Sequence, residues 1–233
     1  MRSPAFILLA VLAILLAACG QKTCHVIGTI EGGQDGDSLF LITDMENGIP
    51  MDTLYVKNGQ FEYQTEADSI RLCFLQYKQG GEAVQPFFLE PGTIHIDLKK
   101  DVSECCINGT QLNEEWQKLN KAAFDYQKEM MKLTKEAQKD TSEQNMQAIW
   151  AKVQTAQAKL SDLYYKTAEK NISNELGFVL VSNPIALSEE EVLKLINQMP
   201  PRFHSRKEIM EIENYLKSDT TGLSDYPEDI IEE

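Results

Sequence analysis

Between Ile107 and Leu112 the hydrophobic period of the chain changes, and that change dictates two kinds of architecture in one polypeptide. Up to Ile107 the apolar residues recur every second position between turn residues, the pattern of strands with one buried face. Val26, Gly28 and Ile30 begin the series. Leu39, Leu41 and Thr43 follow a Gly32-Gly33-Gln34-Asp35-Gly36 turn, and Leu54 and Val56 lead through Asn58-Gly59 to Phe61 and Tyr63. Asn-Gly between alternating runs is a strong hairpin signal because both residues tolerate positive φ. Leu72 with Phe74, Phe87 with Leu89, and Ile94, Ile96 and Leu98 after Pro91-Gly92 complete seven or eight strands. Such a series predicts an antiparallel β-sandwich over residues 24–110, and an α+β fold for the whole chain.

From Leu112 the steps are fours and threes: Leu112, Trp116, Leu119, Ala123, Tyr126, Met130, Leu133 and Ala137, then Met146, Ile149, Val153, Ala156, Leu160, Leu163 and Thr167. Each row is a heptad seam, and residues 111–170 contain neither Gly nor Pro. A helix over residues 112–138 would be about 40 Å long, so the two rows predict a long antiparallel αα-hairpin with both seams turned inward. Thr141 with Gln144 fits a capping box that restarts the helix. Shorter helices are predicted at residues 175–181, 188–198 (Ser188 with Glu191) and 205–217 (Ser205 with Glu208). Residues 111–217 thus form a helical region, and residues 218–233 an acidic tail.

The N-terminus carries an address. Arg2 precedes an unbroken apolar run of fifteen residues ending at Cys19, which is too short for a bilayer span of about twenty and suits the core of a signal peptide. Leu16-Ala17-Ala18-Cys19-Gly20 resembles a bacterial lipobox, so residues 1–18 read as a signal peptide, Cys19 as the lipidated first residue and residues 19–23 as a linker. Gln21, Lys22 and Thr23 bring no acidic run, which favours the periplasmic side over surface display. With 36 acidic residues against 22 basic ones, the net charge of −14 repels nucleic acid and anionic headgroups alike. The membrane anchor is therefore the lipid.

The chemical motifs are sparse. Gly36-Asp37-Ser38-Leu39 spells a lipase-like nucleophile block, but none of His25, His95 and His204 has the aspartate three residues before it that would complete the base. Turn and strand explain the block instead. Cys24-His25 and Cys105-Cys106 could supply four zinc ligands, yet neighbours on a strand point to opposite faces. His95, between Ile94 and Ile96, is expected to face solvent. Glu114-Glu115 and Glu189-Glu190-Glu191 sit at helix starts, where the helix dipole accounts for them. Trp116, Tyr126 and Trp150 read as core packing at or beside heptad positions. No metal or cofactor is called for. Cys24, Cys73, Cys105 and Cys106 read as packing residues or one optional bridge, and adjacent Cys105 and Cys106 are too close for a relaxed disulfide with each other.

The residues 26–30, 35–41 and 52–63, followed by Phe88-Leu89-Glu90-Pro91-Gly92-Thr93-Ile94, Asn108-Gly109-Thr110-Gln111-Leu112-Asn113 and the helices of 174–216, resemble an unknown-function domain. That domain precedes a thioredoxin-like thiol-disulfide oxidoreductase domain in many Gram-negative envelope lipoproteins. The resemblance implies a sandwich with appended helices in the cell envelope. This chain stops at Glu233, about where the thioredoxin domain and its Cys-x-x-Cys would begin, so no enzyme activity is expected. The reading that follows is a lipid-anchored, non-catalytic binding or assembly module with an envelope protein partner. Its alternatives are an accessory of periplasmic thiol-disulfide exchange, using Cys105 or Cys106 with a separate thioredoxin-like protein, and a carbohydrate or peptide binder. Ser38, Thr53, Ser69 and Thr220 each follow an aspartate in the pattern that envelope proteins of gut anaerobes use for O-glycosylation, which makes them candidate modification sites.

Overall fold

The computed structural model describes residues 22–43, 50–77 and 84–221, without the side chains of Val84 and of residues 217–221. The residues read as a signal peptide, Cys19 and most of the tail segment lie outside the described residues. Two compact units divide at Glu114 and Glu115.

The N-terminal unit holds β1 (Thr23–Ile30), β2 (Ser38–Ile42), β3 (Pro50–Tyr55), β4 (Gln60–Glu66), β5 (Arg71–Tyr77), β6 (Val84–Leu89), β7 (Gly92–Leu98) and β8 (Cys106–Asn108). They form two four-stranded sheets, ordered β4-β1-β7-β8 and β3-β2-β5-β6. The predicted α+β class is therefore observed. One pairing departs from the antiparallel expectation, since β1 runs parallel to β7, Val26 opposite Ile94 and Gly28 opposite Ile96. Both strands turn apolar residues inward at those positions, so burial selects a register that no turn specifies. A second departure is the phase of β5. Cys73 and Leu75 are buried, whereas Leu72 and Phe74 are only half-buried. With apolar residues on both faces, alternation could not choose between them.

Local chemistry explains the turns. Asn58 and Gly59 both take positive φ, as the hairpin signal predicts, and the Asp35 carboxylate accepts the Asn58 N–H at 2.5 Å. Gly28 has a different reason. Phe61 lies across it from β4, and a Cβ there would stand 2.0 Å from the ring.

A buried polar knot ties β6 to the first helix, α1 (Gln111–Lys139). Asn113, fully buried, accepts the Phe88 N–H at 2.8 Å and donates to the Phe88 carbonyl at 2.7 Å, as a neighbouring strand would. Its amide also donates to the Thr110 hydroxyl at 2.8 Å. The Glu90 carboxylate accepts the N–H groups of Leu112 at 3.0 Å and Asn113 at 3.3 Å, satisfying donors that a helix start leaves free. Gly109, at φ +99°, lets the chain turn into the knot, and a Cβ there would meet the Thr93 carbonyl at 2.3 Å.

The C-terminal unit continues α1 and adds α2 (Glu143–Lys170), α3 (Glu175–Ser182), α4 (Glu189–Ile196), the single turn α5 (Pro201–His204) and α6 (Lys207–Thr221). The predicted seam of α1 holds, with Leu119 and Leu133 buried and no seam residue exposed. Along α2, Ile149 and Ala156 are buried but Met146 is exposed, and beyond Ala156 burial moves one position off the predicted seam, to Tyr164 and Ala168, leaving Leu160, Leu163 and Thr167 half-buried. Lys152 reaches Glu136 of α1 at 3.4 Å. Trp150 is 63% exposed rather than core, because it stands one position off the seam. The α2 cap is Ser142, accepting from Asn145, one residue beyond the predicted Thr141. Ser188 and Glu191 form both halves of the predicted capping box. The last helix begins two residues later than predicted and runs into the tail segment, as far as Thr221. Around α3, Glu175 takes Arg206 through two 2.7 Å bonds, and the guanidinium covers the ring of Phe178.

Two stability measurements follow. Asn113→Ala would remove both of its bonds to the buried Phe88 backbone and cost about 2–4 kcal/mol, whereas Gln111→Ala, at an exposed position, should be near neutral in denaturant unfolding. Leu133→Asp buries an unpaired charge and should cost about 3 kcal/mol or more, against little for Lys132→Asp on the exposed face. Equal losses for the second pair would refute the hairpin register.

Candidate functional site

At the end of the sandwich where β1 and β7 finish, the sheets leave a cleft of about 330 Å³. Ile30 and Leu98 reach it from one sheet, and Leu39 and Leu75 from the other. These side chains face inward because strand alternation puts them there, and Leu39 and Leu75 are fully buried. Tyr77 and Gln85 supply polar edges, and Glu31, Lys99 and Lys100 the rim. Sequence reasoning missed this cleft. Its described lining comes from six segments, among which the turn after Ile30 was a local signal.

The edges are held by specific bonds. Asp37 accepts the Tyr77 hydroxyl and the Gln34 N–H, the latter at 2.8 Å, and these bonds hold its carboxyl below the usual range, the hydroxyl contributing most. The same contact raises the Tyr77 hydroxyl. On the rim, the Lys99 ammonium bonds Asp97 at 2.8 Å and lowers that carboxyl, with help from the Thr29 hydroxyl. Glu31 accepts the Lys100 backbone N–H at 3.1 Å.

The Gly36-Asp37-Ser38-Leu39 block is turn and strand, as read, with Ser38 buried at the start of β2 and Asp37 engaged by Tyr77. Cys24 and Cys73 are completely buried, and burial pushes their thiols to about 11 and about 12. Cys105 follows the 3₁₀ turn Val102–Glu104 and lines the cleft; its sulfur accepts the Lys99 N–H at 3.2 Å. Burial raises its thiol too, opposed by that N–H and reinforced by Asp97 and Asp101. Half-buried Cys106 opens β8, its sulfur 3.7 Å from the Asn108 amide. The zinc arrangement fails on position: Cys24 pairs with Gly92 and Cys106 with Asp97, roughly 17 Å apart along β7. Among the described residues no three acidic, His or Cys side chains gather as a metal site would require.

Of the histidines, His95 is exposed as predicted, His25 bonds Glu62 at 2.5 Å, and His204 bonds Glu213 at 3.1 Å. Among the candidate glycosylation positions, Ser69 is exposed, Thr53 is half-buried on edge strand β3 and Ser38 is buried. Thr220 lies on α6 and its side chain is outside the described residues. No helix among the described residues is long and apolar enough to cross a membrane.

A two-sheet domain with an apolar cleft at one end, followed by helices, is the class these features define. Residues 24–116 match the family model described as a domain of unknown function (DUF4369). No curated protein and no solved structure matches the chain.

The thiols make a pH prediction. Unfolded, they ionise near 9, whereas folded Cys24 and Cys73 hold their protons to about 11 and about 12. Their stabilisation is complete below pH 9 and is lost as pH rises through the folded values. Each should remove about 1.4 kcal/mol per pH unit in that window. Urea unfolding from pH 8 to 11 should show this slope, and the Cys24→Ala/Cys73→Ala double variant should flatten it.

Proposed function

We propose that this chain is a lipid-anchored, periplasm-facing protein of the bacterial cell envelope that works as a non-catalytic binding module, with the inter-sheet cleft as its binding feature. The observation that carries the reading is the cleft itself, a largely aliphatic hollow with a polar rim at one end of a sandwich, the form that small-ligand sites usually take. Anchoring rests on the lipobox-like Leu16-Ala17-Ala18-Cys19. The thiol chemistry fits binding better than exchange. A disulfide-exchange nucleophile wants a depressed pKa, and Cys105 is shifted the opposite way. The lining also suits sugars poorly, since among the described residues Tyr77 is its one aromatic side chain.

Metabolic labelling with palmitate tests the anchor: label should enter the native protein, and detergent should be needed to extract it. Persistence of label in Cys19→Ala would refute it. Insulin reduction with dithiothreitol as donor tests the non-catalytic part. The rate should equal the protein-free control, and thioredoxin-like turnover lost in Cys105→Ser or Cys106→Ser would replace this reading with thiol-disulfide exchange.

A further inference from the structure

We propose that the inter-sheet cleft holds an aliphatic chain of about ten carbons, and that its selectivity lies in the chain rather than in the head group. This rests on the cleft being a binding site, as argued above, and adds the ligand class. Ile30 and Leu98, half-buried, provide branched methyl surface from one sheet over a floor closed by the fully buried Leu39 and Leu75 of the other, which suits a flexible chain better than a planar ring. Tyr77 does not offer a free stacking partner with a hydroxyl to spare, because that hydroxyl is committed to Asp37.

Volume sets the length. The space of about 330 Å³ holds roughly ten methylenes, if each takes about the 30 Å³ of a water molecule. Charge sets the indifference to the head. Lys99 and Lys100 stand at the rim with Glu31, and Lys99 is already paired with Asp97. A carboxylate there would gain little over a hydroxyl, as exposed ion pairs do. Cys105 lines the same cleft and Cys106 does not, so occupancy can be read on one thiol against its neighbour.

The experiment uses the full chain carrying Cys19→Ala, purified without detergent, so that no acyl chain of its own competes. Carboxylates and alcohols of six to fourteen carbons are measured by displacement of a fluorescent fatty acid. N-ethylmaleimide labelling of Cys105 and Cys106 is followed by peptide mass spectrometry. Affinity should rise about fourfold per methylene and then level near ten carbons. Decanoate and decanol should agree within about fivefold. With decanoate at about ten times its Kd, Cys105 labelling should slow about tenfold while Cys106 is unchanged. Leu98→Trp and Ile30→Trp, each checked for an unchanged melting profile, should fill the cleft and abolish binding.

Affinity independent of chain length, unprotected Cys105, or a larger preference for either head would each overturn the proposal. So would unchanged binding in both filled variants, if they fold. Failure of the native protein, with Cys19 intact, to take up palmitate while chain binding is intact would instead sink the envelope reading and leave this one standing.

Discussion

The N-terminal unit depends on one side-chain amide standing in for a strand. Strand β6 is the edge of its sheet, and a buried edge must find partners for its free N–H and carbonyl groups. Asn113 supplies both for Phe88 from the first turn of α1. The helix start has the same problem in reverse, with N–H groups and no acceptors, and Glu90 meets it from the residue next to β6. Each partner thus satisfies what the other element leaves open. Neither could be replaced by an apolar residue without stranding a buried group on the opposite side.

That reciprocity gives physical content to two stretches that the sequence presents as unremarkable. Phe88-Leu89-Glu90-Pro91-Gly92 and Asn108-Gly109-Thr110-Gln111-Leu112-Asn113 are far apart in chemistry and read as two separate turns. In the fold they are the two halves of one bonded cluster. Gly109 is required there because its φ and the nearby Thr93 carbonyl exclude a side chain. The same logic recurs in the C-terminal unit, where Glu115 takes Lys170 and Asn171 at 2.6 Å each, and Gly177 leaves room for the Asn171 carbonyl.

How much of this was legible follows from range. Asn58-Gly59, the Ser188–Glu191 box and the α1 seam are decided by residues within one or two turns of each other, and sequence patterning finds them. The parallel pairing of β1 with β7 joins residues nearly seventy positions apart and leaves no local mark. The phase of β5 was misread because Leu72, Cys73, Phe74 and Leu75 are apolar in succession, so period two has no polar face to read. Trp150 was misplaced by proximity: a position beside a heptad seam is not a position in it. The cleft escaped altogether, since it belongs to strand ends from both sheets rather than to any motif.

Three of the cysteines show how burial holds a thiol in its neutral form. Activation needs a positive neighbour or a helix N-terminus close to the sulfur. Cys24 and Cys73 instead occupy inward positions of β1 and β5, where desolvation dominates and the neutral thiol behaves as a small apolar side chain. Cys105 has a positive neighbour within reach, Lys99, but its ammonium is spent on Asp97, and the acidic groups of Asp97 and Asp101 act in the opposite sense. What remains at that position is a polarizable, uncharged wall of the cleft. A wall of that kind lowers the cost of burying an apolar guest beside it, where a thiolate would raise it. The pKa shift that argues against a nucleophile is therefore the same property that keeps the end of the cleft apolar.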